Sequence, residues 1–217
     1  SMSMLSGEKV IIIDDHKLFT SGLFTILESI GLRVMSTFSN GKDALIYLQT
    51  NEIDIIFSDI NMPKMDGLEL LKKLRKNKVS AKMIMLSMYE EPNIIKEAFA
   101  CGADAYLSKN TEKAEIIKAV KRCLDNKKYI NRKLIKKEER KEGEGQKDTF
   151  TLKYKLTTRE RDVLELMLKE ASNNEIGNSL GISKRTVETH RKNIMLKLGA
   201  KNNIGLARIA ITYNLFN

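Results

Sequence analysis

"IIFSDINMPKMDG", residues 55–67, sets three apolar residues ahead of Ser58 and Asp59, then turns through Met62-Pro63 and Asp66-Gly67. An apolar run without polar alternation suits a strand buried on both faces. Such a strand ending on a carboxylate poses a question, because that aspartate is either a structural cap or a reactive group. Four similar runs lie nearby: "KVIII" (9–13), "RVMSTF" (33–38), "KMIMLS" (82–87) and "AYLS" (105–108). Between these runs and "DIIFS" (54–58), amphipathic patterns recur near 17–29, 41–50, 66–76, 91–101 and 111–125. Strands alternating with helices in this way predict an α/β, doubly wound, five-stranded parallel sheet. Ligands of such sheets bind beyond the carboxyl ends of the strands.

The strand ends carry the chemistry. Strand one ends on Asp14 and Asp15, strand three on Asp59, strand four on Ser87 and strand five on Lys109. All of these positions fall on one edge of a parallel sheet. Three carboxylates gathered there repel one another and stay ionised only beside cations. Lys109 supplies one positive charge and a divalent ion two more. Oxygen ligands with positions left for water suit Mg²⁺. Asp59 is then placed to attack a phosphoryl group in line, forming an acyl phosphate. Ser87 can donate a hydrogen bond to a phosphoryl oxygen. Asp66 has N-cap spacing with Glu69 and is the structural aspartate.

The 217 residues suffice for two small domains, and 42% hydrophobic content allows packed cores. No apolar run approaches the ~18 residues of a membrane helix. Cys101 and Cys123, in apolar helix-like surroundings, read as reduced core residues of a cytoplasmic protein. Ser1-Met2-Ser3 reads as a cloning remnant, so 1–7 is set aside as a tail. The net charge of +10 is uneven: residues 1–125 hold 17 basic and 17 acidic residues, so the whole excess lies beyond them. That asymmetry points the C-terminal part toward a polyanion. The expected organisation is 8–125 for the first domain, 126–155 for a charged linker containing "KKEERKEGEGQKD", and 156–217 for a small all-α domain. In the last, Thr157 with Glu160 and Ser172 with Glu175 have capping-box spacing, Ser183 caps a longer helix, and a fourth helix spans about 203–213.

The ordered set Asp14-Asp15, Asp59, "MPKMDG", Ser87 and Lys109 resembles the CheY-like receiver domain of bacterial two-component systems over residues 9–125. The resemblance implies that Asp59 is the phosphoacceptor and that a sensor histidine kinase donates the phosphoryl group. It implies Mg²⁺ held by Asp15, Asp59 and the backbone carbonyl of Asn61, with Asp14 acting through water. Tyr106 stands where the family has a switch aromatic. Departures are Ser87 for the commoner threonine, Met88 where a small residue is usual, and Asn110 where proline is usual. Met88 is expected to crowd the pocket. Neither His16 nor His190 is expected to have metal-ligand neighbours.

"SNNEIGNSLGISKRTVETHRKNIMLKLG" (172–199) resembles the helix-turn-helix of the LuxR-type domain in the NarL/FixJ regulator group. On the longer helix Val187, Ile194 and Leu198 share an inward face. Lys184, Glu188 and Lys192, with Thr189 and Arg191 beside them, form a stripe able to enter a major groove. Glu188, Thr189 and Lys192 are the candidates for base edges. Lys184, Arg185, Thr186, Arg191 and Lys201 are the candidates for phosphates. Gly177 replaces the family's usual alanine. A mid-helix glycine costs roughly 1 kcal/mol, so a softer helix is expected.

One helix reads few base pairs, so a homodimer is expected on promoter DNA, formed when the receiver is phosphorylated. Candidate faces are the last helix, with Leu206, Ile209 and Tyr213, and the first, with Leu18, Phe19 and Leu23. The expected function is a phosphorylation-controlled transcription regulator, with RNA polymerase as a further partner. It is no turnover enzyme, beyond slow loss of its own phosphoryl group. Two alternatives remain: a phosphatase or phosphotransferase using an aspartyl phosphate, and a regulator independent of phosphorylation. Haloacid-dehalogenase-like enzymes usually carry a second aspartate two residues after the nucleophile, where this chain has Asn61.

Overall fold

The structure, a computed structural model, describes residues 5–131, 134, 149–213 and 215–216. The chain divides into two compact units, Ser1–Lys141 and Glu142–Asn217.

In the first unit, β1 (Lys9–Ile13), α1 (Lys17–Ser29), β2 (Arg33–Phe38), α2 (Gly41–Leu48), β3 (Ile55–Ser58), α3 (Gly67–Lys76), β4 (Lys82–Ser87), α4 (Pro92–Ala100), β5 (Ala105–Ser108) and α5 (Lys113–Leu124) follow one another. A sixth strand, β6 (Tyr129–Ile130), closes the parallel sheet, whose order is β2-β1-β3-β4-β5-β6. Side chains alternate between its faces. Val10, Ile12, Ile55, Phe57, Ile84, Leu86, Ala105 and Leu107 pack with Leu23 and Leu27 of α1 and Ile116, Ala119, Val120 and Cys123 of α5. Burial pushes the Cys123 thiol up to about 12, so it stays protonated and inert within this core.

The sheet thus has six strands where five were expected. β6 joins the edge in parallel register with Ala105 and Tyr106. Two residues inside a lysine-rich stretch give no readable period. Tertiary contacts hold them instead: the Tyr129 hydroxyl bonds Glu115, and Lys128 Nζ donates to the Ala103 carbonyl at 2.8 Å. The expected linker 126–155 therefore begins with a strand. It also ends with a helix, α6 (Thr149–Lys155), whose Phe150, Leu152 and Tyr154 are buried. The segment "KKEERKEGEGQKD" (136–148) lies outside the described residues.

The second unit continues with α7 (Thr158–Leu168), α8 (Asn173–Leu180), α9 (Lys184–Leu198) and α10 (Asn203–Thr212). Both expected capping boxes form, Thr157 with Glu160 and Ser172 with Glu175. Ser183 accepts the Thr186 N–H and starts α9. Leu152, Leu156, Val163, Leu164, Ile176, Val187, Ile194, Leu198, Leu206 and Ala210 make its core.

Of the residues on the two candidate dimer faces, most pack within their own unit and Leu18 stays exposed. Leu206 and Leu23 are buried in their own cores, and Ile209, Tyr213 and Phe19 pack against them. Each helix turns its most apolar stripe toward the nearest core. What α10 leaves in solvent is Ile204 and Ile211; α1 leaves Leu18 and Phe24.

Gly177 has a packing role. A Cβ there would lie 2.7 Å from the Ile182 carbonyl oxygen, so the glycine allows α8 and the following turn to approach closely. Gly177→Ala should therefore destabilise the C-terminal unit by about 1–3 kcal/mol through overpacking, read as a lower chemical-denaturation midpoint, instead of stabilising it by the roughly 1 kcal/mol that helix propensity alone predicts.

Candidate functional site

The end of β3 carries Asp59 to the carboxyl edge of the sheet, where its N–H donates to the Ile13 carbonyl at 2.8 Å. The neighbouring end of β1 brings Asp14, whose N–H donates to the Phe38 carbonyl at 2.9 Å. Past β5, the Lys109 N–H donates to the Ser87 carbonyl at 2.9 Å, turning its side chain toward both aspartates. The ammonium then lies 2.9 Å from Asp59 Oδ2 and 2.6 Å from Asp14 Oδ2, with the Phe19 ring 4.7 Å away. Gly67 completes the frame. A Cβ at Gly67 would sit 2.3 Å from the Asp59 carbonyl oxygen, so only glycine lets α3 start against this strand end. Asp66 caps that helix with Glu69 in a reciprocal box, the structural role expected of it.

The electrostatics follow from burial, which one shared positive charge offsets only in part. Burial raises Asp59 above the ordinary carboxylate range; Lys109 pulls it down, while Asp14 pushes it up again. Burial alone would lower Lys109, but its contacts with Asp14 and Asp59 hold it above its ordinary value. The two directions agree physically, because the ammonium sees two carboxylates whereas each carboxylate shares one ammonium. Asp14 Oδ2 is buried and, apart from this ion pair, accepts no well-directed hydrogen bond.

Asp14, Asp15, His16 and Asp59 each offer a ligand atom, and these atoms lie within 4.8 Å of one another. A buried carboxylate oxygen without a hydrogen bond, in so compact a donor set, fits one divalent cation. His16 corrects the sequence reading, which gave it no metal-ligand neighbours. Its Nδ1 sits 2.8 Å from Asp14, 3.4 Å from Asp15 and 3.7 Å from Asp59.

Above the pocket, Ser87 Oγ accepts the Tyr89 N–H at 2.9 Å. The fully buried Tyr106 donates its hydroxyl to the Tyr89 carbonyl at 2.6 Å, and burial raises its phenol far above the ordinary value. Asn61 Nδ2 donates to the Tyr89 hydroxyl at 3.0 Å. Tyr89 thus links Asn61, Ser87 and Tyr106, and no sequence signal singled it out. Met88, expected to crowd the pocket, is 62% exposed. The Lys109–Asn110 peptide is trans.

In the second unit Lys184, Arg185, Glu188, Thr189 and Lys192 are placed along α9 and Lys201 beyond it, and all six are exposed. Thr186 is half-buried, its hydroxyl 2.8 Å from Ser183 Oγ. The Thr189 hydroxyl donates to the Arg185 carbonyl at 3.1 Å, which engages its proton within the helix. Arg191 is less available than the sequence suggested: it donates to Asn173 Oδ1 at 2.7 Å and to Asn203 Oδ1 at 3.4 Å. With Lys184, Ser172, Asn173 and Asn174, it lines an open groove.

A fixed frame holds α9. Lys197 Nζ donates to Glu160 Oε2 at 2.7 Å, joining the last turn of α9 to the start of α7. Burial alone would raise Glu160, but the bonds from Lys197 and Thr157 outweigh it and hold the carboxyl below its ordinary range. Arg161, buried beneath, donates to the Leu156 carbonyl at 2.8 Å and lies 4.7 Å from the Tyr154 ring centre. Lone charged residues in an amphipathic pattern gave no sign of these pairings.

Known proteins align with both units. The response regulator receiver domain family matches residues 10–121, and the family described as bacterial regulatory proteins, luxR family, matches residues 154–210. Response regulator UvrY of Escherichia coli (strain K12) is 30% identical over 209 residues, covering 96% of this chain and 95% of its own. Transcriptional regulatory protein UhpA of the same strain is 35% identical over 200 residues, covering 92% and 95%. RcsB of Salmonella enterica serovar Typhimurium, solved bound to promoter rprA with phosphomimetic BeF3-, superposes with a TM-score of 0.61 at 25% identity, covering 94% of this chain and 98% of its own.

The raised Asp59 sets a pH dependence. Between the unfolded carboxylate value of about 3.9 and its higher folded value, the native state holds the extra proton, so this group adds stability as pH falls through the folded value. Above that value the buried charge destabilises. Without divalent cations, Asp59→Asn should raise the thermal midpoint at neutral pH, and the difference should shrink as the solution is acidified. Midpoints that are equal at neutral pH would contradict this account.

Proposed function

This chain belongs to the response regulators that join a receiver domain to a LuxR-type DNA-binding domain, and from that membership we propose that Asp59 accepts a phosphoryl group from a sensor histidine kinase. The observation that supports this best is the buried Asp59 carboxylate at the strand edge, 2.9 Å from Lys109 and beside Asp14. One Asp59 oxygen forms the new bond to phosphorus as the bond to the donor's imidazole nitrogen breaks. Lys109 meets the charge on the transferred group, and Ser87 turns its hydroxyl from the Tyr89 N–H toward a phosphoryl oxygen. Mg²⁺, held by Asp14, Asp15, Asp59 and the Asn61 carbonyl, supplies two further positive charges when bound. Moving Ser87 releases the Tyr89 segment, to which the Tyr106 hydroxyl is tied, so Tyr106 carries the change outward. A group that stays on Asp59 is a signal, not a product, and the protein works as a switch with at most slow self-dephosphorylation. It acts in the cytoplasm; among the described residues no helix is long and apolar enough to cross a membrane.

The output is promoter binding by a phosphorylated homodimer. Solved RcsB structures hold dimers on DNA, and the same arrangement here would present two copies of α9. Glu188, Thr189 and Lys192 face base edges in the major groove, while Lys184, Arg185, Thr186 and Lys201 hold phosphates. Arg191, tied to Asn173 and Asn203, sets α8 and α10 against the reading helix and presents its remaining N–H groups to the backbone. RNA polymerase is the partner through which bound protein alters transcription.

Two measurements test this. Treated with acetyl phosphate and Mg²⁺, the protein should gain the mass of one phosphoryl group, and Asp59→Ala should gain none; an Asp59→Ala protein that is still modified sinks the assignment. For DNA, Lys184→Ala should weaken binding to all sequences alike and reduce the salt slope by about 1. Glu188→Gln should instead relax preference at one base pair by about 1–3 kcal/mol.

A further inference from the structure

β6 has two residues, fewer than a strand normally needs to hold its place. It lies beside β5, whose Tyr106 is tied to the pocket through Tyr89 and Ser87. Its register partners there are Ala105 for Tyr129 and Tyr106 for Ile130. We propose that β6 is an output element of the receiver: its docking on β5 depends on Tyr106, and phosphorylation of Asp59 loosens it. The chain runs from Ile130 through 131–148 to α6, so β6 fixes the point from which the rest of the chain departs.

The register carries the inference. Paired residues of adjacent strands point to the same face of a sheet, and successive residues to opposite faces. Tyr129 therefore shares the face of Ala105, where it packs on the core built with α1 and α5 and its hydroxyl bonds Glu115. Ile130 shares the other face with Tyr106, so the fully buried phenol ring is its cross-strand neighbour. The start of β6 has polar anchors: the Tyr129 N–H donates to the Asp104 carbonyl at 3.0 Å, and Lys128 Nζ donates to the Ala103 carbonyl at 2.8 Å. Its end leans on Tyr106. When Ser87 turns to a phosphoryl oxygen, the Tyr89 carbonyl that holds the Tyr106 hydroxyl is released and the ring repacks. Ile130 then loses the neighbour that half-buries it. A two-residue strand opens as one unit, so weakening at Ile130 weakens all of it.

The inference rests on the reading that Asp59 accepts a phosphoryl group, so mass and amide hydrogen exchange are measured on the same samples. The full chain is treated with acetyl phosphate and Mg²⁺, and exchange is followed in peptides covering 126–131. Exchange there should rise about tenfold on phosphorylation, while peptides of β1 and β3 change less than about twofold. Ile130→Ala should gain the same mass, exchange faster before treatment, and rise less than about threefold after it. Tyr106→Phe, which loses the bond to Tyr89, should also gain the mass and rise less than about threefold. Mass gained without a change at β6 overturns the output element and leaves the phosphoacceptor standing. A rise shared equally by β1 and β3 overturns it too, because the whole receiver has then loosened. A full rise retained in Tyr106→Phe overturns the route through Tyr106. No gain of mass in the unsubstituted chain overturns both readings.

Discussion

One ammonium shared between two buried carboxylates governs the N-terminal unit. Asp14 and Asp59 are brought together because β1 and β3 are neighbours in the parallel sheet and both end at the same edge. Lys109 bridges them, yet burial, with Asp14 adding to it, still holds Asp59 above the ordinary carboxylate range. A cluster in that state gains from any added positive charge, and a divalent cation is the form in which such charge fits between oxygen atoms. A phosphoryl group brings negative charge to the same place, which only a cation-loaded pocket can meet. Under the proposed function, the deficit therefore couples ion binding to phosphoryl acceptance.

From that pocket a short chain of hydrogen bonds leads away. Ser87 holds the Tyr89 N–H, Tyr106 holds the Tyr89 carbonyl, and Asn61 holds the Tyr89 hydroxyl. A hydroxyl that must serve either its own loop or an incoming phosphoryl oxygen cannot do both at full strength. The loop between β4 and α4 is thus bonded to Ser87, Tyr106 and Asn61 together. Tyr106 has no exposed surface in this arrangement, so a change of its bond is a change of packing.

In the C-terminal unit the rigid parts are ionic and amide contacts rather than core alone. Lys197 fastens α9 to the start of α7 through Glu160, and Arg191 fastens it to Asn173 and Asn203 at the starts of α8 and α10. These bonds lie behind or beside the stripe of Lys184, Glu188 and Lys192. A helix held at its middle and its last turn has little freedom left to lose on binding.

The sequence alone determined the order and type of most elements. An unbroken apolar run such as Val10, Ile11, Ile12 and Ile13, too short for a helix and β-branched throughout, reads as a strand buried on both faces. Ser or Thr three residues before Glu can satisfy the free N–H groups of a helix start. The sequence also placed Asp14, Asp15, Asp59, Ser87 and Lys109 on one edge, because parallel strands put their ends together whatever their separation along the chain. Tertiary structure decided what has no local period. Two-residue β6 exists through Tyr129–Glu115 and Lys128–Ala103 contacts. α6 forms because Phe150, Leu152 and Tyr154 find a core to enter. Gly177 matters through a carbonyl five residues away, and His16 faces the acid cluster because its backbone is pinned to Asp14. Local propensity registers only the nearest turn of chain; side-chain direction, close backbone approach and charge pairing depend on neighbours that the fold alone supplies.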